Sequence, residues 1–151
     1  MKARILVLTG ALLLLAAFPA LAGTNKFSKS LKGGGTVSFK VKTNKKGTAT
    51  KVTSIKVKDL PTKCTDADTN VTAGPTLSVS LGSTKVRVQN LGGGKTYGFN
   101  LNKFVANRGW TFNGAFSSRK GRKVSEGQVA ITFEQGGGSC GASVQFKAKR
   151  K

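Results

Sequence analysis

The feature that most restricts this chain is a two-residue alternation of apolar and polar side chains, repeated from Thr36 almost to the last residue. Successive side chains of a strand point to opposite faces, so such a pattern places alternate residues in a core and the others in water. Thr36 to Thr43 sets Val37, Phe39 and Val41 against Ser38, Lys40 and Lys42. Ala49 to Lys58 carries Val52, then Ile55 and Val57, a change of parity that predicts a bulge near Thr53 and Ser54. Leu77, Val79 and Leu81 form one further run, and Val86 with Val88 another. Tyr97, Phe99 and Leu101 follow, then Trp110, Phe112, Gly114 and Phe116, then Val129, Ile131 and Phe133. Cys140, Ala142, Val144, Phe146 and Ala148 close the series and put Cys140 on the inner face.

Turn formers stand between these runs: Gly33 to Gly35, Asn44 to Gly47, Asn90 to Gly94, Asn107 to Gly109, Ser118 to Gly121 and Gln135 to Ser139. Glycine and asparagine tolerate the positive φ that hairpin turns demand. Eight or so short strands without a helical period predict an antiparallel all-β fold. A two-sheet β-sandwich with jelly-roll-like topology is expected first and a closed barrel second. Pro61 to Pro75 is the least patterned stretch and reads as a long loop or irregular edge.

The N-terminal stretch has a different character. Lys2 and Arg4 precede an apolar run from Ile5 to Phe18, Pro19 interrupts it, and Ala20-Leu21-Ala22 places small residues where a signal peptidase reads. Residues 1–22 are therefore expected to be a cleaved signal peptide and residues 23–151 a single domain. An uncleaved anchor is the alternative, since the run approaches the roughly 20 residues that span a bilayer. Cleavage would remove Lys2 and Arg4 and lower the formal charge from +21 to +19. Cys64 and Cys140 both lie in the remaining part, and an even count in an exported domain reads as a disulfide. An intermolecular bridge is the other possibility.

Catalytic chemistry finds little support. Histidine is absent, which removes the commonest general base and transition-metal ligand together. Gly136 to Gly141 satisfies G-x-G-x-x-G, but a strand follows where a dinucleotide site needs a helix N-terminus. Gly92-Gly93-Gly94-Lys95-Thr96 resembles the end of a P-loop, yet Gln89 occupies the place of its leading glycine. Ser117-Ser118-Arg119-Lys120 matches S-x-x-K in a turn, with no helix to align serine and lysine. Asp66 and Asp68 could offer oxygens to a hard cation, but in a loop such residues ordinarily cap turns. No catalytic residue, metal site or cofactor is expected, and an enzyme is not. Asn70-Val71-Thr72 is a glycosylation sequon that acts only where the machinery exists.

Charge carries more information. Lys and Arg number 26 against 5 Asp and Glu. Lys40, Lys42, Lys56, Lys58, Lys85, Arg87, Lys147 and Lys149 occupy outward strand positions, and Arg119, Lys120, Arg122 and Lys123 crowd one turn. Lysine on strands also blocks sheet-to-sheet aggregation, but mixed charges would serve that end equally. The imbalance predicts salt-sensitive attraction to polyanions. The partners expected are an anionic polysaccharide, a cell-wall polymer or an anionic lipid surface, and not a specific nucleic acid, because export separates the chain from that target and no recognition motif is present. Trp110, at the start of its strand, is the one aromatic residue worth considering as a glycan-stacking platform, although its parity with Phe112 and Phe116 favours the core. A carbohydrate-binding module and a structural or adhesive subunit are the alternatives.

The N-terminal apolar segment, the strand Val37 to Lys42, Phe112-Asn113-Gly114-Ala115-Phe116, the basic turn Arg119 to Lys123 and the end from Cys140 to Arg150 together resemble small exported all-β proteins of high-GC bacteria. The resemblance implies a disulfide-tied β-sandwich outside the cytoplasm. It implies neither an activity nor any binding residue.

Overall fold

The computed structural model describes residues 22–91 and 94–151. All but Ala22 of the expected signal peptide lies outside the described residues. Among the described residues there are eight strands: β1 (Thr24–Ser30), β2 (Thr36–Thr43), β3 (Ala49–Thr65), β4 (Val71–Leu91), β5 (Gly94–Val105), β6 (Arg108–Phe116), β7 (Lys123–Gln135) and β8 (Gly138–Lys149). Each pairs antiparallel with its sequence neighbours in a single sheet, and β3 also pairs with β8, so the sheet curls into a partial ring.

This order corrects the jelly-roll expectation. A jelly roll needs long connections that carry the chain past intervening strands, whereas every connection here is short and returns the chain beside the strand it has just left. Ring formation depends on the length of β3. Residues Thr36 to Thr43 of β2 occupy one of its edges between Ala49 and Lys58. Beyond the end of β2 that edge is taken by β8, through Lys63↔Gly141, Cys64↔Cys140 and Thr65↔Ser139. The disulfide between Cys64 and Cys140 locks this three-pair seam.

The stretch expected as a loop is therefore strand on both sides of a tight turn. Thr62, 4% exposed, takes an inward position and donates its hydroxyl to the carbonyl of Pro75 at 2.7 Å, while Cys64 is held by its bridge. Polar or sulfur side chains at inward positions hide the alternation from a hydropathy reading. β1 was equally hidden, because Phe27 is its one buried residue. The runs at Leu77 to Leu81 and Val86 to Val88 belong to one strand that bends at Gly82, φ +88°. The bulge expected near Ser54 is present. Its φ is 52°, and the register slips opposite both β2 and β4.

Apolar parity places the core inside the curl. Phe39 of β2 stacks on Phe27 of β1 at 4.8 Å and reaches across to Phe112 of β6 at 5.3 Å, with Phe99 and Phe146 each at 6.2 Å. Tilted and offset aromatic contacts of this kind add to area burial. The rings of Phe99 and Phe146 need space, and the sequence provides it with glycine. The inward row across β5 to β8 is Phe99, Gly114, Gly127, Phe146. A Cβ on Gly127 would lie 2.5–2.8 Å from three ring carbons of Phe146.

Candidate functional site

Because strands alternate in direction, the turns β2–β3, β4–β5 and β6–β7 lie at the same pole as the start of β1 and the end of β8. Lys45 and Lys46 sit in the first of these turns, Arg119, Lys120 and Arg122 in the third, and Lys149 to Lys151 at the end of the chain. Main-chain bonds draw these pieces together. Arg119 accepts from the Ala49 amide at 2.7 Å, Arg122 from the Arg150 amide at 2.9 Å, and Lys26 from the Lys151 amide at 3.0 Å. The side-chain amide of Asn25 donates to the carbonyls of Lys120 and Gly121. Gly121, φ +58°, is what lets the basic turn press on β2 and β3: a Cβ there would stand 2.7 Å from that of Ala49. Lys123 and Lys149 face each other directly across β7 and β8.

The outer face of β1 to β4 continues this basic surface. Register places Lys42 opposite Lys51, and Lys51 opposite Lys85, with Lys26 and Lys40 paired in the adjoining row. Strands lie about 4.8 Å apart, and directly opposed like charges destabilise a sheet. Long flexible side chains let the ammonium groups splay, so each pair repels by less than the roughly 0.8 kcal/mol that two unit charges about 5 Å apart feel in bulk water. An anion lying across the row relieves that repulsion. Lys56 and Lys58 extend the surface along β3, opposite Ser38 and Thr36. All twelve cationic residues singled out by sequence are exposed, but they do not form one cluster. Arg119, Lys120, Arg122, Lys123 and Lys149 gather at the pole, Lys40, Lys42 and Lys85 join the row beside it, and Arg87 and Lys147 border a groove on another face.

Four of the five acidic residues lie toward the opposite pole: Asp59 and Asp66 in and after the upper part of β3, Asp68 in the β3–β4 turn, and Glu134 at the end of β7. Asp66 acts as a turn cap. Its carboxylate accepts the amides of Asp68 at 3.0 Å and Asn70 at 2.9 Å, and the Asn70 side chain at 3.1 Å. Donation from the Asn70 backbone above all, then from its side chain, holds the Asp66 carboxyl below its ordinary pKa. Among the described residues no group of three or more His, Cys, Asp or Glu side chains is placed to hold a metal ion.

Trp110 takes the core place that its parity with Phe112 and Phe116 favours. It is 2% exposed within the hydrophobic core, so neither face of its indole is open to a sugar ring. Among the described residues the large exposed aromatic side chain is Phe104, at 81%. Its parity, opposite to that of Tyr97, Phe99 and Leu101, was a readable signal for an outward ring. The other feature missed from sequence is a groove of about 920 Å³ on the outer face of β4 to β8. Its central row is Asn100, Asn113, Gln128 and Gln145, each directly opposite the next. Polar residues in strands read simply as solvent-facing, and only register shows that four amides are aligned.

Comparison with family models, curated proteins and solved structures finds no match to this chain.

Proposed function

We propose that this is a non-enzymatic, exported protein that holds an anionic glycopolymer of the cell envelope or its surroundings against its basic pole. The observation that carries the reading is the convergence of the β6–β7 turn, the C-terminal residues and Lys26 through main-chain bonds, next to the opposed Lys42, Lys51 and Lys85. A flexible polymer with regularly spaced anions can meet several strands at once, and each contact lowers the mutual repulsion of the lysines. Among the described residues the large exposed apolar side chains are Val71, Val88 and Phe104, of which Val88 alone lies toward the basic pole. That disposition supports a soluble polymer over a membrane surface, where apolar insertion accompanies basic attraction. The disulfide fits an oxidising compartment.

The test compares retention on a polyuronate matrix, on a neutral matrix and on anionic vesicles across a salt series, for the parent and for Lys42→Ser/Lys51→Ser/Lys85→Ser. Retention on the polyuronate is expected to fall steeply with salt, and the triple variant to elute earlier with a shallower dependence. Retention that does not change with salt removes the electrostatic reading, and capture by vesicles alone replaces the polymer with a lipid surface.

A further inference from the structure

The outward rows of β5 to β8 differ in chemistry from the lysine-bearing rows of β2 to β4. One row is Asn102, Thr111, Ala130 and Ser143, and the next is Asn100, Asn113, Gln128 and Gln145. Asparagine and glycine are poor strand formers, and elsewhere this chain solves the problem of a wet strand face with lysine. Neither strand stability nor solubility accounts for four aligned amides.

We infer that this groove binds a neutral, hydroxyl-rich glycan chain, independently of the basic pole. An amide offers both a carbonyl acceptor and N–H donors, and a sugar hydroxyl likewise both donates and accepts. Asn113 donates to Gln128 Oε1 at 3.3 Å, and Gln128 donates to Ser143 Oγ at 2.9 Å. Those two bonds orient the centre of the row and use one N–H of each side chain, leaving the remaining amide hydrogens and carbonyl lone pairs for a ligand. From Asn100 to Gln145 the row crosses three inter-strand steps, roughly 14 Å, so a chain lying across the strands meets an amide at each step. Beside the row, Gly98 and Ala115 give a floor with almost no side chain, which allows a sugar ring to approach the sheet. The volume of about 920 Å³ lies within the range of small-ligand sites. Glu126 stands opposite Ala115 in that floor row, with Arg87 and Lys147 also lining the groove. These three charges sit at the margin and leave a net of only one positive charge, so the four uncharged amides at the centre make a neutral chain the better fit.

The experiment follows the side-chain amide resonances of the full disulfide-bonded protein during titration with cello-, manno-, xylo- and N-acetylated chito-oligosaccharides, at low salt and at about 1 M, where the screening length is about 3 Å. At least one of these sugars is expected to shift the Asn100, Asn113, Gln128 and Gln145 side-chain signals, with an affinity that does not change with salt. Asn113→Ala/Gln128→Ala should weaken that binding about tenfold or more, the scale of one or two lost hydrogen bonds. Ala115→Tyr, which fills the floor while keeping every amide, should abolish it, and Lys42→Ser/Lys51→Ser/Lys85→Ser should leave it unchanged. If none of the oligosaccharides moves those resonances, or if binding persists undiminished in both groove variants, the inference is wrong. The polyuronate result stands or falls separately.

Discussion

Removal of the Cys64–Cys140 bridge should cost this protein a large part of its stability. The bridge closes a span of 76 residues, which takes in the whole of β4 to β7. The chain-entropy relation for a loop of that length gives roughly 4.5 kcal/mol from constraint of the unfolded chain. Native proteins of this size hold about 5–15 kcal/mol in all. For a domain of about 130 residues the expected fall in Tm is roughly 15 °C. A local effect comes on top, because β3 and β8 share three residue pairs, against eleven between β7 and β8. Cys64→Ala/Cys140→Ala, compared with the oxidised parent by denaturant titration, measures the global term. Amide exchange then separates the local one: Lys63 to Thr65 and Ser139 to Gly141 should lose protection well before the β6–β7 ladder. A double variant within about 1 kcal/mol of the parent would refute the reasoning about the unfolded chain. Unchanged exchange at the seam would show that backbone pairing alone holds the ring shut.

Two other expectations follow from side-chain geometry. Gly127→Ala drives a Cβ to within 2.5–2.8 Å of the Phe146 ring and should destabilise by about 1–3 kcal/mol. In a Phe146→Leu background the same change should cost much less, and a double-mutant cycle with no coupling would contradict the close contact. Asp66 is held deprotonated by its turn. A carboxyl with a depressed folded-state pKa contributes stability above its unfolded value and loses it as pH falls through the lower folded value. The backbone and side-chain amide signals of Asn70 should therefore stay put through the ordinary carboxylate range and shift only at more acid pH, and titration of these signals at or above the ordinary value would exclude the cap.

The parts of the fold legible in sequence were those in which period two was written in apolar residues. Val37, Phe39 and Val41 mark β2 from end to end, and the parity change before Ile55 locates a bulge that both neighbouring strands register. Where an inward place is held by Thr62 or by half of a cystine, or where Phe27 alone anchors a strand, hydropathy loses the pattern and β1 and the upper parts of β3 and β4 go unread. Strand order was misjudged for another reason: turn signals report where a chain reverses, not which strand it comes to lie beside. The exposure of the cationic residues followed from parity. The meeting of the β6–β7 turn with the C-terminal residues at one pole depended on the direction of each strand, and the amide row on the register between four of them, which are properties of pairing and not of any one segment.

The nearness of the start of β1 to the end of β8 has a practical consequence. The Lys151 amide bonds to the Lys26 carbonyl, and the Thr43 amide to that of Gly23, so a short linker could join residue 151 to residue 23 without disturbing any strand. Opening the resulting circle between Gly136 and Gly137, both at positive φ with open space around them, yields a circular permutant whose new termini emerge at the acid-bearing pole. Such a rearranged chain would carry a fused reporter or surface tether at the pole opposite the β6–β7 turn and the C-terminal residues, leaving that basic end unobstructed.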